Sequence, residues 1–136
     1  MNNIDDNLTT TNPILQRMHA EADNIQAFMS IPATLEDPAT LTYRLKDLDV
    51  YMARLSDMMI RAKAMKERAQ NAFIAENEEK INKMTATVSN RLISANLYEY
   101  SMTYSRLETM YHTLEHITRD LVSQISYIKQ QMISGI

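Results

Sequence analysis

The chain has 136 residues and a formal net charge of −3, enough for one domain with a modest core and too little charge to name a partner. The absence of Cys excludes a disulfide framework and a thiolate metal site. With one Gly and three Pro, and neither between residues 39 and 134, the chain lacks the closely spaced turn residues that strands need, which leaves an all-α fold.

Residues 1–12 are polar and unpatterned, and disorder is expected there. The start MNNIDDNLTT does not read as a signal peptide, and no apolar run approaches the roughly 18 residues of a membrane span. Asn12 before Pro13 reads as a helix cap with proline at the first helical position. A short helix from about Ile14 to Ser30 is expected, because Ile14, Leu15, Met18, Ala22 and Ile25 fall three or four apart on one face. Ile31 to Asp37 contains Pro32 and precedes Pro38, so it reads as a linker. Residues 1–37 hold six acids and one base and are set apart as an acidic N-terminal segment, leaving residues 38–136 as the main helical domain.

Asp37 and Pro38 repeat the cap signature and open a long helix. Its apolar seam is Leu41, Leu45, Leu48, Met52, Leu55, Met59, Ala62, Lys66, Ala69 and Phe73. The steps alternate between four and three, the spacing of heptad positions a and d. A second stripe, Tyr51, Met58, Met65 and Ala72, runs beside it at position g. The buried face is thus wider than one partner helix requires. The pattern breaks at Glu76-Asn77-Glu78-Glu79, where a turn is expected. A short helix of about 16 residues follows, rich in Thr, Ser and Asn, with a bend expected near Ser94 to Tyr98.

The last segment carries the longest seam: Ile93, Leu97, Tyr100, Tyr104, Leu107, Tyr111, Leu114, Thr118, Leu121, Ile125, Ile128 and Met132. One unbroken helix from 38 to 133 would be about 144 Å long, and the phase breaks argue against it. Two long helices of similar length suit an antiparallel pair. The expected fold is therefore a long antiparallel helical hairpin, coiled-coil-like, with short accessory helices.

Three features carry candidate chemistry. His112-Thr113-Leu114-Glu115-His116 spells an inverted zinc-peptidase pattern, and two His four apart can share a metal. They fall at b and f, away from the seam, and a third ligand is not evident, so no metal, cofactor or catalytic residue is assigned. His19 stands isolated. Arg54, Arg61 and Arg68 repeat every seven residues at position c and could contact phosphates along one stripe, although an ordinary charged helix flank is the simpler account of them. Eleven Met and seven Tyr fill irregular packing, and methionines also line adaptable binding surfaces.

The stretches LKDLDVYMARLSDMMIRAKAMKERA and LEHITRDLVSQISYIKQQM resemble small uncharacterised helical proteins of tailed phages and prophages, over residues 38–133. The features in common are Tyr51 with Arg54 and Lys63, then Arg119, Gln124 and Ile125-Ser126-Tyr127. The resemblance implies a phage or mobile-element origin and carries no catalytic residues. The expected function is non-enzymatic: protein–protein interaction and self-assembly in the cytoplasm of the host cell. Tyr51, Met58 and Met65 are the expected face of a homo-oligomer, with another protein as a further partner and no membrane involved. The alternative is an accessory DNA-binding protein of phage replication or recombination, with Arg54, Arg61 and Arg68 on the phosphates.

Overall fold

The structure, a computed structural model, describes residues 12–31 and 37–135. These form five helices and no strand: α1 Pro13–Met29, α2 Pro38–Glu76, α3 Glu78–Asn82, α4 Ala86–Asn96 and α5 Tyr98–Ser134. The all-α reading and the two long helices are as the seams require. The disorder expected before Asn12, and most of the linker before Asp37, lie outside the described residues.

The helix ends follow from local chemistry. The Asn12 side chain accepts from the backbone N–H of Ile14 at 2.9 Å and of Leu15 at 3.3 Å, satisfying two donors that an α-helix leaves orphaned. Asp37 caps α2 by accepting from Ala39 N at 3.4 Å and from the Thr40 hydroxyl at 2.9 Å. α2 ends at Asn77, inside the expected turn, where the backbone reaches φ −120 and ψ 21. There the Asn77 side-chain amide donates back to the Phe73 carbonyl at 2.8 Å. The short helix expected next is two pieces, α3 and α4, because Thr85 starts a new helix by accepting from Val88 N at 3.3 Å. Leu97 makes the bend into α5.

α2 and α5 run antiparallel along their seams. Leu41, Leu48, Leu55 and Ala62 of α2 are buried against Leu107, Leu114, Leu121 and Ile125 of α5. Fully burying each leucine contributes about 1.5–3 kcal/mol. Thr118, the polar residue of the α5 seam, donates its hydroxyl to the Met52 sulfur at 3.5 Å. α4 packs near the far end of the hairpin, against both long helices.

α1 is the third helix of the bundle rather than an appended segment. Leu15, Met18, Ala22 and Ile25 belong to the same core as the α2–α5 seam, so the boundary drawn at residue 37 does not separate two cores. Heptad geometry explains where α1 docks. In an antiparallel pair the two g stripes lie on one side and the two e stripes on the other. The g stripes hold Tyr51, Met58 and Met65 on α2, and Thr103, Met110 and Ile117 on α5. The e stripes hold Asp49, Ser56, Lys63 and Gln70, then Ser101, Glu108 and Glu115. The first side is the more apolar, since the second offers only Val122, and α1 packs on the first.

Candidate functional site

The groove under α1 is where the widest face of the hairpin is put to use. Met58 is only 5% exposed, and Tyr51 and Met65 are packed against the core. The Tyr51 ring meets Phe28 of α1 with centroids 4.6 Å apart. Of Tyr51, Met58 and Met65, the expected meeting face of a homo-oligomer, Met58 is thus covered within the chain, while Tyr51 and Met65 are half-buried against its core. The N-terminal helix supplies part of that cover, through Phe28 on Tyr51.

Polar contacts rim the groove and fix α1 in register. Arg44, one heptad before Tyr51, donates to the Phe28 carbonyl at 3.0 Å and to the Ile31 carbonyl at 2.8 Å. Its guanidinium also lies 4.0 Å from the centre of the Phe28 ring. A cation on the terminal carbonyls of α1 complements the negative end of that helix. Arg54 lies 3.8 Å from Glu21 of α1.

The most organised polar cluster joins α1 to α5. Arg106 donates to His19 Nδ1 at 2.9 Å and to the His19 carbonyl at 3.4 Å. The same guanidinium binds the Asp23 carboxylate and the Gln26 side-chain carbonyl. On the other edge of the ring, His19 Nε2 lies 3.0 Å from the Thr103 hydroxyl. Thr103, 1% exposed, donates that hydroxyl to the Glu99 carbonyl at 2.8 Å. A hydroxyl has one proton to give, so Thr103 accepts from His19, and Nε2 carries the hydrogen. Nδ1 is then bare and accepts from Arg106. His19 is held neutral, in one tautomer, by its two neighbours. Burial first, and the Arg106 charge second, lower its pKa from the ordinary 6.5, against an opposite pull from Asp23. His19 read as isolated in the sequence. Its partners lie 84 and 87 residues away, and no local spacing announces them.

The phosphate stripe is differently placed. Arg54, Arg61 and Arg68 do share the exposed outer flank of α2. However, Arg54 faces Glu21, and Arg61 lies 3.2 Å from Asp57, one turn back. Arg68 donates to the Ala64 carbonyl at 3.5 Å. Two of the three charges therefore have carboxylates beside them, which lowers the field a phosphate would meet.

His112 and His116 are both exposed on α5. His112 Nδ1 lies 3.0 Å from Glu115, and its Nε2 lies 4.0 Å from Glu108. The glutamate of the zinc-like pattern thus pairs with a histidine of that pattern. Among the described residues no three His, Cys, Asp or Glu side chains converge as a metal site would need. No helix of the described residues is long and apolar enough to cross a membrane.

Comparison with protein-family models, with curated proteins and with solved structures returns no match.

Proposed function

We propose that the chain is a non-enzymatic helical protein of a phage or mobile element, acting by protein–protein interaction and self-assembly in its host cell. The observation that carries this reading is the C-terminal end of α5. Tyr127, Met132 and Ile133 are 62%, 61% and 72% exposed, and Ile128 lies half-buried between them. At positions c, a, b and d these four side chains point to all sides of the helix. Exposed apolar side chains gathered at one end of a helix mark a contact surface. Here the seam runs to the very start of α2, and Tyr43 of α2, 68% exposed, lies at the same end of the hairpin. Because the groove under α1 is filled, this end replaces Tyr51, Met58 and Met65 as the contact surface.

Light scattering at micromolar concentration is expected to give a mass at least twice 15.7 kDa. Met132→Glu with Ile133→Glu should reduce that mass while leaving the circular dichroism unchanged, since neither side chain is buried. A protein partner should stay bound through a high-salt wash, because apolar contacts are not screened. A clean monomer throughout dilution that releases every partner in salt defeats the reading.

DNA binding makes the opposite forecast. It would be electrostatic and would weaken steeply with salt. Replacing Arg54, Arg61 and Arg68 with Ala is expected to leave the fold intact and to change no gel shift at physiological salt. A submicromolar shift, lost in the triple variant, would establish phosphate contact instead.

A further inference from the structure

The cluster around His19 does more than fasten α1. It is built around a neutral imidazole whose bare nitrogen faces a guanidinium. We infer that His19 is an acid-sensitive latch: protonating it at Nδ1 turns the hydrogen bond from Arg106 into a contact between two cations and loosens α1 from the bundle, uncovering the methionine-lined groove beneath.

The geometry leaves protonated His19 no good alternative. Nε2 is committed to Thr103, whose own proton goes to the Glu99 carbonyl. Nδ1 sits 2.9 Å from Arg106, and two donors at that distance repel. The charged groups acting on the ring are Arg106 of α5 and Asp23 of α1. The α2 charges that reach α1 are Arg54, which faces Glu21, and Arg44, which binds the Phe28 and Ile31 carbonyls at the far end of that helix. Asp23 favours protonation but is already bound to the same guanidinium. Burial and Arg106 outweigh it, so the folded pKa lies below the ordinary 6.5. The sign follows from linkage. The unfolded or undocked histidine binds the proton more readily, so the docked state has its full stability above about pH 6.5 and loses it as pH falls through the folded value. His19 is the member of the cluster whose charge changes in that window.

Amide hydrogen exchange on the intact chain between pH 7 and pH 5, corrected for the intrinsic rates, tests the latch. Protection of the α1 amides should fall several-fold at pH 5, while the α2 and α5 seam amides from Leu48 to Leu55 and from Leu114 to Leu121 keep theirs. His19→Gln removes the titrating group and retains a donor and an acceptor, so its α1 protection should not change with pH. Arg106→Leu removes the opposing cation and should reduce the pH response while His19 is still present. His112 and His116 remain in both variants and serve as the internal control. Equal loss of protection in every helix, no loss in α1, or an unchanged pH response in His19→Gln would each overturn the latch.

Discussion

Met58→Glu is expected to destabilise the fold by at least about 3 kcal/mol, whereas Ile60→Glu, two residues on, should stay within about 0.5 kcal/mol. The contrast comes from the helix face alone. Met58 is 5% exposed beneath α1, and Ile60 is 67% exposed on the outer side of α2. A carboxylate at position 58 forfeits the burial of the methionine. It must also stay ionised in apolar surroundings or take up a proton to enter them. A small domain has only about 5–15 kcal/mol to lose, so the loss consumes a large part of it. Urea denaturation followed by circular dichroism measures both variants. If position 58 were a contact between copies, the glutamate would lower the mass of the assembly and leave the midpoint of a monomer unchanged. Equal midpoints for Met58→Glu and Ile60→Glu would show that α1 does not cover this stripe.

The parts of the molecule that could be read from the sequence are those specified by neighbours along the chain. Asn12 and Asp37 announce their helices because a cap acts over two or three residues. The two seams repeat every seven, and their buried leucines are Leu41, Leu48 and Leu55 against Leu107, Leu114 and Leu121. Asn77 breaks α2 where the seam loses phase. The stripe Tyr51, Met58 and Met65 was visible too, as surplus apolar surface, but its occupant was not. A second copy and an N-terminal helix satisfy the same pattern, and only the spatial placement of α1 decides between them. The e stripes hold the complementary clue, since Asp49, Ser56 and Lys63 leave one side of the hairpin polar and so point to a single third helix. The cluster of His19, Thr103 and Arg106 was beyond reach, because hydrogen bonds between distant helices leave no periodicity. The split of α3 from α4 at Thr85 could have been read, since Thr preceding Ala86 is an ordinary cap.

Removing α1 should convert the covered stripe into the interface that its composition suggests. A chain beginning at Asp37 keeps the α2–α5 seam, which has its own buried leucines on both helices, so the hairpin should remain helical. It exposes Tyr51, Met58, Met65 and Met110 together. Leaving that surface in water costs about 25 cal/mol per Å² of apolar area, and a second copy offers the same stripe in return through a symmetric contact. The shortened chain is therefore expected to associate into twice as many copies as the full chain at the same micromolar concentration. Tyr51→Gln, Met58→Gln and Met65→Gln introduced together into the shortened chain should bring the mass back, because they remove the apolar stripe and spare the a and d positions. The same three changes in the full chain should instead lower its unfolding midpoint, since there they empty the groove beneath α1. A shortened chain that stays helical and no larger than the full one would mean that the stripe is not adhesive when bare. The docking of α1 would then rest on its polar rim, Arg44, Arg54 and Arg106, more than on the methionines it covers.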